Sequence, residues 1–144
     1  MENIRDSLVN IALEWEDRYT VMPQITSAIS EYDAAKLVGC DDEKYSKSMK
    51  NQTAVTKGFD FLFENKKYQI KANRPSGKPG SKVTKVANAK NYDWDILIWI
   101  LYDTKFILNE AWKFKVSEYK NLFDNKKRLS PDDMRKGECL YKIS

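Results

Sequence analysis

The chain has 144 residues, of which 42% are hydrophobic, 32% charged and 12% aromatic, a composition that suits one compact domain with its own apolar core. Its two cysteines, Cys40 and Cys139, lie far apart and argue against a disulfide framework, and the lack of any histidine removes His-ligated zinc and imidazole general bases together. The net charge of +4 is uneven: eight basic residues and no acid stand between Asn65 and Tyr92, which leaves −4 for the remainder.

The first nine residues are charged and lack an apolar run with a cleavage site, so no export leader is expected and a cytoplasmic location follows. Ile4, Leu8, Ile11 and Trp15 recur at helical spacing, with charges between them, and predict an N-terminal helix. Pro23 fits the first position of a second helix, striped by Ile25, Ala28, Ile29, Tyr32 and Ala35, and Gly39 is placed to end it. Cys40 to Lys57 is polar and reads mostly as a loop.

Gly58 to Lys71 predicts a β-hairpin. Phe59, Phe61 and Phe63 alternate with Asp60 and Leu62; Tyr68 and Ile70 alternate with Gln69 and Lys71; Glu64 to Lys67 makes the turn. A turn centred on Asn65-Lys66 sets Asp60 opposite Lys71 and Leu62 opposite Gln69, with all four on one face and the aromatic residues on the other.

Asn73 to Asn91, with two prolines, two glycines and many lysines, reads as a long loop. Its glycine spacing and the Pro79 after Gly77-Lys78 exclude a nucleotide phosphate loop. A concentrated basic run of this kind is the footprint of a polyanion-binding surface. Asp93 and Asp95 stand at a strand entrance and read as capping or turn residues. Ile96 to Tyr102 predicts a buried central strand, too short to span a bilayer, with Trp99 and Tyr102 in the core. Phe106 to Phe114 is its antiparallel partner. Ser117 is a candidate cap for a helix carrying Tyr119, Leu122 and Phe123. Ser130-Pro131 opens a short helical turn closed by Gly137, and Leu140 to Ile143 adds an edge strand. The order predicts an α/β domain, an α+β mixed sheet flanked by helices. It spans residues 1–144, with a helical part at 1–39, a hairpin, basic loop and core strands at 58–114, and a helix and edge strand at 115–144.

Glu31 on the second helix, Asp60 after Gly58-Phe59, and Gln69-Ile70-Lys71 on the next strand form one ordered set. This set resembles the motif of the PD-(D/E)XK nuclease superfamily, in the Gln-x-Lys variant of Mrr-like restriction endonucleases. The resemblance covers Ile25 to Arg74, and Ile96 to Trp112 more loosely. It implies a restriction-endonuclease-like core and a metal-dependent endonuclease that hydrolyses DNA phosphodiester bonds, in restriction or phage defence. Glu31, Asp60, Gln69 and Lys71 would be catalytic. Asp60, Gln69, Glu31 and the Ile70 carbonyl would hold Mg²⁺, with Mn²⁺ as substitute. Hard oxygen donors of this kind suit Mg²⁺, and such an ion both stabilises phosphoryl charge and activates water. Arg74, Lys78, Lys82, Lys85 and Lys90 would clamp the DNA backbone. One such site cuts one strand, so cleavage of both strands calls for a homodimer. Two alternatives share these features: an inactive nucleic-acid-binding module of the same fold, and a partner-binding subunit of a defence system.

Overall fold

The computed structural model describes residues 3–52 and 58–144. Five strands form one mixed sheet in the order β1 (Phe61–Phe63), β2 (Lys66–Asn73), β3 (Ile96–Tyr102), β4 (Leu108–Lys115), β5 (Glu138–Lys142). Only the β2–β3 pair is parallel. Helices α1 (Ile4–Tyr19), α2 (Thr26–Leu37) and α3 (Asp42–Lys50) precede the sheet, and α4 (Val116–Phe123) and α5 (Pro131–Met134) lie between β4 and β5. The chain is thus the mixed α/β domain its pattern predicts.

Strand alternation splits the apolar residues into two cores. One gathers Phe61, Tyr68, Ile70, Ile98, Ile100 and Tyr102 with Val9, Ala12, Ile29, Ala34 and Ala35 of the N-terminal helices. The other gathers Leu97, Trp99 and Phe114 with Tyr119, Phe123 and Met134, and with Val86, Ala89 and Trp94 from the segment joining β2 to β3. A parallel pair needs a crossover, usually a helix. Here residues 74–95 cross as irregular chain, pinned where Val86 bridges Leu129, Ala89 N donates to the Tyr119 hydroxyl at 3.1 Å, and Trp94 Nε1 donates to Ala89 O at 3.2 Å. Asp95 closes the crossover by accepting from Lys67 N at 2.8 Å, the turn role expected of it.

Four points about the helices add to or correct the sequence pattern. First, α1 forms as expected, and its Ile4-Leu8-Ile11-Trp15 stripe faces outward: Ile4 is 88% exposed and Ile11 64%. The helix docks through the neighbouring row, where Val9 and Ala12 are buried between two charged ends. Arg5 donates twice to Asp33 (2.9 and 3.1 Å) and to Phe106 O, and Glu16 accepts twice from Arg74 (2.9 and 3.0 Å). Small residues allow close approach, and buried charges must keep their partners, so this row wins over the more apolar one. Second, α2 starts at Thr26, after Pro23, while Gly39 does end it at φ 90°. Third, part of the polar Cys40–Lys57 stretch is α3, capped by the Asp41 side chain, which accepts from Lys44 N at 2.8 Å; residues 53–57 lie outside the described residues. Fourth, α4 is opened by Lys115, whose backbone N donates to the Glu118 side chain at 3.1 Å, with Ser117 already inside the first turn. Ser130 and Asp133 cap α5 reciprocally, in line with the Ser130-Pro131 signal.

The hairpin forms, with its turn one residue earlier than expected. Phe61 pairs with Tyr68 and Phe63 with Lys66, so Glu64-Asn65 is the two-residue loop. Both have positive φ (50° and 63°), the turn geometry that matches strand twist. The shift moves each pairing by two residues and so leaves every side chain on its expected face. No helix among the described residues is long and apolar enough to cross a membrane.

Candidate functional site

β1 pairs with β2 only as far as Phe61–Tyr68, so among the described residues no strand pairs with the outer edge of β2 from Gln69 onward. Within a strand, the N–H and C=O of one residue point the same way, and at Ile70 that way is the outer edge. Ile70 N donates there to Asp60 Oδ2 at 2.7 Å, and the Ile70 carbonyl faces the same side. Asp60 is held at both ends of its backbone as well: its N donates to Tyr68 O at 2.7 Å, and its carbonyl accepts from Gln52 Nε2 at 2.6 Å.

Gly58 sets the approach of this segment. It has φ 81°, and a Cβ there would lie 2.4 Å from Asp93 Cβ, so both conformation and space require glycine. The N-terminal half of α2 faces the same edge. Thr26, Ser27, Ser30 and Glu31 line a polar cleft of about 210 Å³ together with Asp60, Gln69, Ile70 and Lys71. All four residues singled out in the sequence therefore meet in one place. Larger grooves of about 620 and 770 Å³ lie elsewhere on the surface, and neither contains these residues. The smaller cleft is distinguished by its chemistry rather than its size.

The electrostatics of the cleft are those of two acids held together with too little solvent. Burial, reinforced by the charge of Asp60, pushes the Glu31 carboxyl up to about 7. Burial also raises Asp60, partly countered by the Ile70 N–H and by the Lys71 charge. The same pair of acids acts on Tyr45 of α3, where burial first and then the charges of Glu31 and Asp60 push the phenol up to about 12. Among the described residues Lys71 forms no ion pair, although it is near enough to lower Asp60.

The donor set fits a hard divalent cation in part. Glu31, Asp60 and the Ile70 carbonyl supply oxygen, and a cation would relieve the repulsion that raises Glu31. Gln69 departs from the expected ligand role: its Nε2 donates to Asp60 Oδ2 at 3.0 Å, so it offers that point a hydrogen rather than an oxygen. To serve as a ligand, the amide must turn over. No cluster of three or more acids, histidines or cysteines suited to a metal occurs among the described residues, so the site rests on two carboxylates completed by amide and backbone oxygens.

The expected backbone clamp is reduced from five residues to three. The Arg74 side chain is 7% exposed, paired with Glu16, donating to Thr104 O and stacked over Phe106. Its burial makes it a strut between α1, β2 and the β3–β4 turn. Lys90 Nζ donates to the Asp124 and Lys126 carbonyls, capping the end of α4. Lys78, Lys82 and Lys85 are exposed. Lys85 lies nearest the strand, since its carbonyl accepts from Asn73 Nδ2 at 3.1 Å, two positions beyond Lys71. Trp99 and Tyr102 are buried in the core as expected, and so is Trp94. Ser27 and Ser30 line the cleft, Gln52 holds the Asp60 carbonyl, and Tyr45 feels the charges of Glu31 and Asp60, although no sequence motif marks these four residues. Their signal is spatial, because two sit in the polar stretch expected to be a loop and two on a helix face that only docking defines. Neither models of known protein families nor characterised proteins match this sequence.

Proposed function

We propose that the chain is a metal-dependent nuclease with a restriction-endonuclease-like core, hydrolysing phosphodiester bonds in DNA. The observation that carries this reading is the convergence of Glu31, Asp60 and Lys71 at the edge of β2, beside the Ile70 carbonyl, which accepts a long hydrogen bond from Gln69 Nε2 at 3.5 Å. Bound Mg²⁺ supplies the charge that stabilises phosphoryl oxygens and the acidity that activates water. Asp60 and Glu31 would hold it, with the Ile70 carbonyl and a turned Gln69 amide. The Ile70 N–H fixes the Asp60 carboxylate in one orientation, leaving its second oxygen for the cleft. Lys71, uncommitted to any ion pair, contributes positive charge where negative charge grows in the transition state. Ser27 and Ser30 line the α2 side of the cleft; the exposed Ser27 hydroxyl suits a phosphate oxygen, while the buried Ser30 hydroxyl donates to the Ser27 carbonyl. Lys78, Lys82 and Lys85 bind backbone phosphates farther along the strand.

The test is incubation with supercoiled, single-stranded and branched DNA in Mg²⁺, Mn²⁺ or EDTA, with Asp60→Asn as control. Metal-dependent cleavage that disappears in the variant supports the reading. The Gln69 amide, donating to Asp60, favours a second reading: a module of the same fold that binds nucleic acid without cutting it. Salt-sensitive binding with no cleavage under any metal would select that reading.

A further inference from the structure

The exposed stripe of α1 is a self-complementary surface, and we propose that a second copy of this chain covers it, through antiparallel packing of α1 on α1 about a two-fold axis near Ile11. The spacing of Ile4, Leu8, Ile11 and Trp15 is four, three, four, so the four side chains form one continuous row along the helix. A soluble chain gains nothing from leaving such a row in water. Ile4 is 88% exposed, Leu8 38%, Ile11 64%, Trp15 51% and Tyr19 54%. The exposed parts of these five side chains come to on the order of 600 Å², against roughly 800 Å² per partner in a stable interface. The walls of the adjoining groove supply the difference.

The two ends of the stripe differ in shape, and the difference selects the occupant. At the N-terminal end an apolar groove of about 590 Å³ opens beside Ile4 and Leu8, lined across from them by Ala28, Ile29 and Tyr32. At the C-terminal end Trp15 and Tyr19 stand against each other, ring centroids 4.6 Å apart, as a protruding aromatic pair. Knob and groove are separated by about 15 Å along one helix, at 1.5 Å per residue. A two-fold axis midway between them brings each knob into the other copy's groove, so the same docking is made twice. The groove and the acidic cleft lie on opposite faces of α2, so this packing leaves the cleft open. The inference does not rest on the nuclease reading, and its test needs no activity.

The full chain is measured by sedimentation equilibrium over concentrations up to about 1 mM, above which even weak association is populated. The expected mass is twice the 16.8 kDa of one chain, at least at the upper end. Trp15→Ala and the groove-filling Ala28→Phe should each weaken the dimer by at least about tenfold, as truncating or blocking a central aromatic anchor does. Far-ultraviolet circular dichroism checks that both variants fold. Tryptophan emission adds a measurement on the unaltered chain. Trp94 and Trp99 are buried already and Trp112 is half-buried, so a blue shift with rising concentration that persists in Trp112→Phe reports Trp15 entering the groove. Geometry is tested in a Cys139→Ser background. Ile11→Cys near the axis should oxidise to a disulfide dimer, and Asp17→Cys on another face of α1 should not. A monomer at every concentration overturns the proposal, whatever other protein the stripe then binds. So does a dimer unaffected by both variants and not captured through Ile11→Cys.

Discussion

Glu31 and Asp60 share the rim of a core, and burial raises the carboxyl of each. A carboxyl raised on folding holds its proton more tightly in the native chain than in the unfolded one. For Glu31 the window runs from the ordinary 4.5 to about 7. Across it folding takes up a proton, so stability falls as pH rises, and above it the penalty is present in full. Glu31→Gln removes the titration while keeping size and polarity. The variant, without metal, should be more stable than the parent at pH 8, and its melting temperature should decline less between pH 4.5 and 7. Parallel melting curves across that range would show that Glu31 is not the strained acid. Asp60→Asn and Lys71→Ala address the chemistry of the same cleft. Each should lower cleavage by at least about a hundredfold, the scale of removing one preorganised electrostatic interaction. Asparagine keeps an oxygen for the Ile70 N–H, so the fold should survive, and near-parental cleavage by either purified variant would end the assignment.

At the scale of elements, the hairpin and the crossover segment decide whether these residues meet. Gly58→Ala places a methyl against Asp93 at a positive φ and should destabilise the chain by roughly 1–3 kcal/mol, read by urea unfolding. An unchanged midpoint would show that this segment adjusts freely. The basic crossover should divide into two groups of residues. Replacing Lys78, Lys82 and Lys85 by alanine should weaken DNA binding and reduce its log–log salt slope by about 0.7–0.9 for each phosphate no longer neutralised. Arg74→Ala should instead lower stability, by roughly 3 kcal/mol, because Glu16 is left partly buried without its partner. If Arg74→Ala changes only the salt slope, the division is wrong.

These elements also show what a sequence can disclose. The alternation of Phe61, Phe63, Tyr68 and Ile70 against Asp60, Gln69 and Lys71 is a local signal of period two, and it survives a one-residue error in the turn because the pairing slips by two. The convergence of Glu31 with that strand is legible through a motif order, although the late start of β1 at Phe61, which among the described residues leaves Gln69 and Lys71 without a partner strand on that side, is not a sequence signal. Residues whose role depends on docking are not legible. Arg74 resembles its lysine neighbours until Glu16 is seen beside it. The two candidate rows on α1 differ by one position, and only Asp33 and Arg74, distant in sequence, select the less apolar row for the core.

At the scale of the whole molecule, the proposed metal links the cleft to global stability. A ligand that binds only the folded chain stabilises it by an amount set by its concentration relative to its dissociation constant, about 2.7 kcal/mol at a hundredfold excess. For a chain near this length that is a rise in melting temperature of roughly 5–10 °C. Burial first, and then the charge of Asp60, raise the Glu31 carboxyl, and a cation would offset both, so the gain should be larger at pH 8 than at pH 5, where Glu31 carries its proton and competes with the ion. Gln69→Glu tests the ligand set directly. It keeps the length of the side chain, removes the amide hydrogen given to Asp60, and places a third carboxylate in the cleft. Without metal the variant should melt below the parent, from added like-charge repulsion. With Mg²⁺ or Mn²⁺ it should gain more than the parent, since a hard cation binds more tightly as anionic oxygens are added. Asp60→Asn should gain least. Thermal unfolding of the three chains, with and without each ion and at both pH values, measures all of this without any cleavage. If metal shifts all three equally, the ion binds outside the cleft and the two carboxylates serve some other purpose.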